Sequence, residues 1–324
     1  MKNKLLKILD NFKNKKILVV GDIMLDKYIW GDVSRISPEA PVQVVNVLRE
    51  TFEAGGAANV ANNVSALGGS ALMVGITGND EARKILLEES RKKNIEVNGI
   101  LLDNDKPTTQ KIRILGKSQQ LLRVDYENRE HVHSSIESSI INFLEKNIKN
   151  IDVVVISDYA KGVITPEVAK KIIQLAKQNY KPIIADPKPK HKEFYKDVTL
   201  MTPNNNEASE MSGIEDGTDE TVIKIGNKLM KSLNTNVLIT RGEKGMSLFE
   251  KNGSITHIPA KAKEVYSLIG AGDTVVATIA LALASGANFN EASMLSNIAA
   301  GIKVGKMGTA SVSVEEIKRE IEKI

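Results

Sequence analysis

The segment at 270–274, Gly-Ala-Gly-Asp-Thr, sets an aspartate inside a glycine turn that opens the apolar helical run at 275–281. Glycines at a helix start let several backbone N–H groups converge, and the helix dipole adds partial positive charge there. A carboxylate in such a turn would repel a phosphate that only binds there. It is useful there if it takes a proton from a hydroxyl that attacks the phosphate. The pattern therefore predicts an anion hole with Asp273 as general base. The hole residues are Gly270, Ala271 and Gly272.

Two other interpretations of this turn are open. Asp is common in the first turn of a helix, where it serves the helix end alone. Gly270, Gly272 and Val275 also half-match a dinucleotide-binding fingerprint, although that motif belongs in a first βα unit and this turn lies near the end of the chain. The sequence contains no phosphate loop of the G-x-x-x-x-G-K-[ST] type.

Two segments carry residues suited to sugar hydroxyls. The run at 54–61 offers Gly55 and Gly56, which permit close approach of a ligand, and Asn59, which can donate and accept hydrogen bonds. Asp22 and Asp26 follow the first predicted strand and could bind vicinal hydroxyls. The alternatives are tight helix packing for the glycines and helix capping for Asp26.

Asn204 and Glu207 stand three residues apart at a predicted helix start. This spacing is typical of a capping box, and it also suits an oxygen shell around hydrated Mg²⁺. The two interpretations are compatible, so the pair is a candidate for a helix cap and a magnesium contact together.

Short runs rich in Val and Ile alternate with segments of helical period, which predicts an α/β fold with a doubly wound, mostly parallel sheet and helices on both faces. The predicted strands are 17–20, 153–156, 182–185, 198–201 and 237–239, and the clearest helices are 166–178 and 221–233. Ligands gather at the carboxyl ends of such strands. The polar residues at these ends predict one shared site.

Two stretches, about 28–48 and 108–124, break this rhythm with strand-like residues. We expect them to form one small inserted sheet that acts as a lid over the strand ends and as a dimer surface, an edge extension of the main sheet being the alternative. Asn252-Gly253 predicts a type I′ hairpin. No internal break divides residues 1–324, which predicts a single domain with a lid.

Composition narrows the classes of function. Of 324 residues, 42% are hydrophobic and 26% charged, which is typical of a globular protein. The formal charge of +4 is too small to indicate a nucleic-acid partner. The absence of cysteine excludes thiol chemistry. The four histidines are scattered and lack the spacing of zinc ligands, so we expect no zinc site. With no apolar run near 20 residues, we expect a cytoplasmic protein that does not associate with membranes.

The order of four motifs resembles the ribokinase-like (PfkB) carbohydrate kinases along essentially the whole chain. These are the glycine-asparagine motif at 54–61, the Asn-x-x-Glu motif at 204–207, Thr-Arg-Gly-Glu-Lys-Gly at 240–245, and Gly-Ala-Gly-Asp at 270–273. The resemblance implies ATP-dependent phosphorylation of a carbohydrate, with Asp273 as the base. It places Glu207 near ATP-bound Mg²⁺, through water. It also implies a homodimer formed through the lid.

The resemblance further assigns two groups of binding residues. The nucleotide group is Asn204, Glu207, Thr240, Gly242, Gly245 and Asn297; the sugar group is Asp22, Asp26, Gly55, Gly56, Asn59 and Asp158. A substrate that already carries a phosphate needs cations as well. The candidates by charge are Arg35, Lys161 and Lys188, each with surface solvation as its alternative.

Within the family, the segments 34–42, 119–125 and 157–162 look like those of kinases that phosphorylate D-glycero-β-D-manno-heptose 7-phosphate at the anomeric oxygen. That reaction leads toward ADP-heptose for lipopolysaccharide. Many such kinases are fused to a nucleotidyltransferase with an H-x-G-H motif, which this sequence lacks, so we expect the kinase half alone. The alternatives are a kinase of the same fold for another sugar or nucleoside, and a non-catalytic protein that senses sugar or nucleotide.

One segment departs from the family pattern. The family usually has Asp-x-Thr before the Gly-Ala-Gly-Asp turn, where it helps to form a monovalent-cation site, and this chain has Ser267-Leu268-Ile269. The change removes one charge and one ligand oxygen. The resemblance therefore predicts that K⁺ does not activate this protein strongly.

Overall fold

The structure is a computed structural model, and it describes residues 1–117, 119–261, 265–306 and 310–323. In this part of the chain the strands are β1 Lys16–Gly21, β2 Ile23–Ile36, β3 Gln43–Gly56, β4 Ser70–Thr77, β5 Glu96–Leu102, β6 Gln110–Gly116, β7 Gln119–Tyr126, β8 Val153–Ser157, β9 Ile183–Asp186, β10 Leu200–Met201, β11 Asn236–Thr240, β12 Met246–Phe249 and β13 Ile255–Ile258. They form a large and a small sheet.

The helices of the same ranges are α1 Lys2–Asp10, α2 Ala57–Ala66, α3 Glu81–Lys92, α4 Ser134–Asn147, α5 Pro166–Gln178, α6 Asn205–Ser212, α7 Asp219–Leu233, α8 Ala271–Ala284, α9 Phe289–Val304 and α10 Val314–Glu322. Short 3₁₀ turns lie at Phe12–Asn14, Ile148–Asn150, Pro189–Tyr195 and Gly242–Lys244. Among the described residues, the longest apolar helices fall short of what a membrane crossing requires.

The large sheet has nine strands in the order β13-β12-β11-β10-β9-β8-β1-β4-β5. All neighbours from β11 to β5 are parallel, while β12 and β13 add antiparallel at one edge. The sheet separates two hydrophobic clusters. Ile17 and Val19 of β1 face one cluster, whereas Leu18 and Val20 face the other, as the alternation of a strand buried on both faces requires. The predicted α/β fold is confirmed.

The small sheet has the order β3-β2-β6-β7. It contains both inserted segments predicted from the sequence. β2 and β3 extend beyond the predicted segment and are each 14 residues long; β2 begins, and β3 ends, beside the main sheet. β2 pairs antiparallel with β3 and parallel with β6. The inserted segments therefore form a sheet of their own, called the lid sheet below after its predicted role, and the edge-extension alternative is wrong.

The hairpin between β12 and β13 differs from the predicted type I′ turn. The N–H of Gly253 donates to the carbonyl of Glu250 at 2.8 Å, and the N–H of Glu250 donates to Ser254 at 3.0 Å, so three residues form the loop. Gly253 has φ +92°, whereas Asn252 is not among the residues with positive φ. A type I′ turn needs positive φ at both central residues, so the Asn-Gly pair here ends a three-residue loop with glycine in the left-handed position.

Candidate active site

Asp273 lies in the first turn of α8, where two side chains from distant parts of the chain hold its carboxylate. Asn59 of α2 donates from Nδ2 to Oδ2 at 2.5 Å. The hydroxyl of Tyr159, in the loop after β8, donates to Oδ1 at 2.8 Å. Asp273 is only 6% exposed. Its carboxylate is thus oriented by two neutral donors, the arrangement that a positioned general base needs.

The turn before α8, predicted to form an anion hole, combines a left-handed glycine with one open face. Gly270 caps the helix with φ +75°, and a Cβ there would meet the Asn59 amide at 2.8 Å, so this position needs glycine. The N–H of Ala271 donates to the carbonyl of Leu268 at 3.3 Å. A Cβ on Gly272 would meet nothing within 4 Å. The open side of the turn therefore lies over Gly272, where first-turn N–H groups can face a phosphoryl group.

Burial raises the pKa of Asp273, and the hydrogen bonds from Asn59 and Tyr159 act in the opposite direction. The pKa of the Tyr159 hydroxyl lies well above its ordinary value because of burial and the nearby charges of Asp273 and Asp186. Tyr159 therefore stays protonated and donates its proton to the carboxylate. The carboxyl of Asp273 therefore titrates above an ordinary aspartate, as a candidate general base should.

The Tyr159→Phe substitution should move the acid limb of the kcat/KM profile upward by about one to two pH units. A hydrogen bond to an ionised group is worth about 1.5–3 kcal/mol, and one pKa unit corresponds to about 1.36 kcal/mol. Its loss disfavours ionised Asp273 in the free enzyme. Initial rates against pH test this, with Tyr180→Phe as control because Tyr180 is 95% exposed. A Tyr159→Phe profile that matches the wild type would remove Tyr159 from this role.

The loop that carries Tyr159 is anchored by Asp22, which follows β1. Its carboxylate accepts backbone N–H bonds from Tyr159 at 2.8 Å, Lys161 at 3.0 Å and Val163 at 3.1 Å. Burial, and then the charge of Asp158, raise its pKa even though the three N–H bonds lower it. We propose that Asp22 acts on a sugar indirectly, because it fixes the loop that orients Tyr159.

Asp158 is fully enclosed at the start of the same loop. Its oxygens accept from the Ala160 N–H at 2.7 Å, from Nδ1 of His191 at 2.6 Å and from the Tyr195 hydroxyl, and none of its side chain is exposed. The carboxylate thus ties the loop to the 3₁₀ turn at 189–195. We therefore propose that Asp158, like Asp22, acts on the sugar indirectly, because it fixes this loop.

Asp26 and the glycine pair lie where the lid sheet meets α2. Asp26 forms an ion pair with Arg113 of β6 at 2.5 Å. A Cβ on Gly55 would collide with the Asp26 carboxylate, and Gly56 caps α2 with φ +57°. Both glycines are therefore needed for the close approach of β3, β2 and α2. They bring Asp26 close enough for its charge to act on Asp273.

The residues predicted for the nucleotide lie along the next strand ends. Asn204 and Glu207 form the predicted capping box, with both reciprocal bonds at 3.0 Å. Thr240 pairs with Asn204 through an isolated bridge. Asn297 of α9 donates to the Pro259 carbonyl at 2.8 Å. The structure thus brings α6 and the end of β11 together, with the segment around 259 held nearby by α9.

The two predicted nucleotide-site glycines both have positive φ, Gly242 at +58° and Gly245 at +82°. A Cβ on Gly242 meets nothing within 4 Å, which leaves its face open. A Cβ on Gly245 would overlap the carbonyl of Ile258, so glycine there allows the strand edge to pack closely.

Lys188 and Asp186 lie between Asp273 and Glu207. Lys188 pairs with Glu207 and lies 5.5 Å from the centre of the Tyr159 ring. Burial lowers the pKa of Lys188, but the hydrogen bond with Glu207 outweighs it and the pKa is raised. Burial, then the charges of Asp273 and Glu207, raise the pKa of Asp186 well above its ordinary value.

Asp186, the last residue of β9, is a candidate site residue that the sequence motifs do not single out. Its register neighbour on β8 is Ser157, which in turn pairs with Gly21, so the predicted strand ends do share one edge. The described residues contain no group of three or more His, Cys, Asp or Glu that could hold a metal alone. Mg²⁺ usually takes one or two carboxylates together with substrate phosphates. Asp186 and Glu207, crowded by like charge, fit such a partial set.

The cations predicted for a substrate phosphate are not all in one place. Lys161 forms an ion pair with Glu127, and both side chains are about one-tenth exposed. Arg35 is exposed near the end of β2, about 30 Å along the strand from Asp26 at about 3.3 Å per residue. Within this chain the structure therefore places Lys161 and Lys188 beside the site, and Arg35 away from it.

The segment that departs from the family pattern is attached to the end of α9. The N–H groups of Tyr266 and Ser267 donate to the Val304 carbonyl at 2.7 and 3.1 Å. Lys303 is only 1% exposed, and its Cε would lie 3.5 Å from a Cβ on Gly270. Burial lowers the pKa of this lysine. A buried lysine side chain thus lies beside the turn that precedes α8.

The structure combines a nine-stranded α/β sheet, a separate small sheet and a buried aspartate in a glycine turn at a helix start, as expected of a sugar kinase. The sequence pattern of the pfkB family of carbohydrate kinases matches residues 14–317. The chain belongs to this family.

The similar proteins agree with this placement. The chain is 44% identical over 301 residues to the "Bifunctional protein HldE" of Geobacter sulfurreducens, and 43% identical over 303 residues to that of Trichlorobacter lovleyi. Each match covers 93% of this chain but 61% and 62% of the relative, so the chain spans about three fifths of their length.

Solved structures share the fold at low identity. Arabidopsis thaliana ribokinase with ribose and ATP has a TM-score of 0.74 at 20% identity, and Escherichia coli phosphofructokinase-2 with potassium has 0.76 at 19%. Both comparisons cover 95% of this chain and 98% of the other. These likenesses concern the fold, in which this chain is ribokinase-like.

Proposed function

We propose that the protein phosphorylates D-glycero-β-D-manno-heptose 7-phosphate at O1 with ATP, giving the 1,7-bisphosphate used for ADP-heptose. The observation that carries the kinase reaction is the Asp273 carboxylate, held by Asn59 and Tyr159 beside an open glycine turn. The choice of sugar is supported by the segments 34–42, 119–125 and 157–162 and by the similarity to HldE proteins over 93% of the chain.

In the proposed reaction, Asp273 accepts the proton of the anomeric hydroxyl as that oxygen attacks the γ-phosphorus in line. Asn59 keeps the carboxylate aimed, and Tyr159 moderates its basicity. First-turn N–H groups around Gly272 stabilise charge on the transferred phosphoryl group. Proton removal and phosphoryl stabilisation thus occur at one helix start.

Kinases of this family use ATP and Mg²⁺, and we propose that Glu207 and Asp186 hold the hydrated ion through its waters. When bound, Mg²⁺ neutralises phosphate charge and orients the nucleotide. Lys188, which pairs with Glu207, keeps these carboxylates on the nucleotide side. Asn204, Thr240 and Asn297 then border the proposed ATP site.

The proposal is tested by ADP release from Mg·ATP with four acceptors: the heptose 7-phosphate, ribose, fructose 6-phosphate and a nucleoside. We expect turnover on the heptose phosphate alone. Turnover on another acceptor would keep the kinase and discard the heptose assignment. Ligand-induced melting shifts without ADP release from any acceptor would support the sensor alternative, which the Ser267-Leu268-Ile269 departure favours.

Exchanging Na⁺ for K⁺ at constant ionic strength should raise the rate little. The reason is that Ser267 and Ile269 supply one hydroxyl where the family has a carboxylate and a hydroxyl. Initial rates across a K⁺ series, with choline as the inert cation, measure this. Strong, saturable activation by K⁺ over Na⁺ would contradict it.

We propose that residues 1–324 act as one domain with a lid and that two copies pair through the lid sheet. Large apolar side chains are more than half exposed on that sheet, namely Ile36, Val47, Leu48, Leu122 and Tyr126. Exposed apolar groups clustered on one sheet are typical of an interaction surface. Sedimentation velocity should give a dimer, and a monomer at assay concentration would reject the pairing.

A further inference from the structure

The face of the lid sheet that carries Asp26 also carries an unusual lysine. Asp26 on β2 is the register partner of Lys111 on β6, and Lys111 is the partner of Asp125 on β7. Register partners on neighbouring strands project from the same face. This face approaches the turn of Asp273, because Asp26 packs against Gly55 directly before α2, and Asn59 of α2 is bonded to Asp273.

The other cations beside Lys111 are each paired with a carboxylate, and Glu127 is shared by Lys161 and Arg129. The pairs are Arg113 with Asp26 at 2.5 Å, Arg123 with Asp125 at 2.9 Å, and Lys161 with Glu127. In the described part of the chain, the ammonium of Lys111 makes no ion pair or hydrogen bond, although the side chain is half-buried. Lys111 is therefore a half-buried cation of this cluster without a carboxylate partner among the described residues.

Lys161 reaches the same end of the lid sheet as Lys111, because its partner Glu127 stands two residues beyond Asp125, the register partner of Lys111. Lys161 belongs to the loop after β8, and its partner Glu127 directly follows β7. Burial, and then the charge of Lys161, lower the pKa of Lys111. Two ammonium groups held near each other with little solvent are mutually unfavourable, and a dianion between them would remove the cost.

The position of this pair relative to the base defines what could bridge them. Lys161 is two residues beyond Tyr159, whose hydroxyl is bonded to Asp273 at 2.8 Å. A ligand that offers a hydroxyl to Asp273 at one end would thus meet Lys111 and Lys161 at its other end. The matching chemistry is a sugar with a free hydroxyl and a phosphate several atoms away.

We propose that Lys111, with Lys161 near it, binds the phosphate that the acceptor sugar already carries and so selects phosphorylated over unphosphorylated sugars. This inference rests on the proposed kinase function and adds to it the residue that reads the distal phosphate. Lys111 acts as a specificity residue, remote from the reacting oxygen.

The test compares heptose 7-phosphate with heptose in the wild type, Lys111→Met, Lys111→Arg and Lys27→Met. Lys27 is the matched control, since it lies on the opposite face of the same sheet and pairs with Glu50 at 2.8 Å. Dissociation constants by calorimetry and KM values are measured for both sugars. A lost hydrogen bond between charged groups should weaken the phosphorylated sugar by about 10- to 100-fold in Lys111→Met. Heptose binding should not change, and Lys111→Arg should recover most of the loss.

Each other outcome decides against the proposal. Equal weakening of both sugars, or no weakening of either, would show that Lys111 does not read the phosphate. Wild-type protein that binds heptose as tightly as its 7-phosphate, or binds no phosphorylated sugar, would overturn it as well. If the wild type instead prefers a different sugar phosphate, the same pair of measurements on that sugar tests Lys111, and only the heptose assignment fails.

Discussion

Asp273→Asn should lower kcat by about 10²- to 10⁴-fold, the usual contribution of a general base. The substitution keeps the size of the side chain and its position in the first turn of α8, but an amide cannot accept the hydroxyl proton. Nucleotide binding should persist, because the proposed ATP site around Asn204 and Thr240 lies at the ends of other strands. Steady-state rates and equilibrium binding of ATP measure the two effects separately.

The pH dependence of the wild type provides a second measure of the same group. Because burial raises the pKa of Asp273, kcat/KM should fall on the acid side at a pH above 3.8, the ordinary value of an aspartate. Asp273→Asn should lose this limb. Asp10→Asn is the control, as Asp10 is exposed and pairs with Lys318 far from the base. Activity of Asp273→Asn within a few-fold of the wild type would assign the base to another residue.

Local signals in the sequence predicted the parts of the molecule that depend on local chemistry. The helix at 166–178 has its predicted bounds because Thr165 caps it and Pro166 occupies its first turn. The capping box of Asn204 and Glu207 is likewise a contact between near neighbours. Such features need only a few consecutive residues.

The features that the sequence did not predict depend on contacts between distant segments. The Tyr159 hydroxyl reaches Asp273 across 114 positions, and nothing near either residue indicates that pairing. Asp186 gains its role only because β9 lies beside β8 in the sheet. Lys111 stands out only when its neighbours on β2 and β7 are known. Sheet order, rather than motif, assembles this part of the site.

The second large expected effect concerns Asp22, whose replacement by alanine should reduce both stability and turnover. Three backbone N–H groups, of Tyr159, Lys161 and Val163, would lose their acceptor. A buried donor without a partner costs about 1–3 kcal/mol, so we expect the free energy of unfolding to fall by about 2–4 kcal/mol in all, since water can satisfy part of the loss. Chemical denaturation measures this fall. The freed loop would also release Tyr159 from Asp273, so kcat should fall with it.

The matched control is Asp152→Ala, just before β8, where the carboxylate accepts one backbone N–H, that of Lys16 at the start of β1, at 2.8 Å. Asp152→Ala should cost less stability than Asp22→Ala and leave kcat unchanged.

The pH dependence of stability has a definite sign. The folded pKa of Asp22 lies above its ordinary 3.8, so the folded protein binds more protons than the unfolded chain between the two values. Through Asp22, the free energy of unfolding should therefore fall as pH rises through that window, and Asp22→Ala should lose this contribution. Equal effects of the two substitutions on kcat would show that the loop stays in place without Asp22, because anchoring predicts a kinetic loss at Asp22 alone.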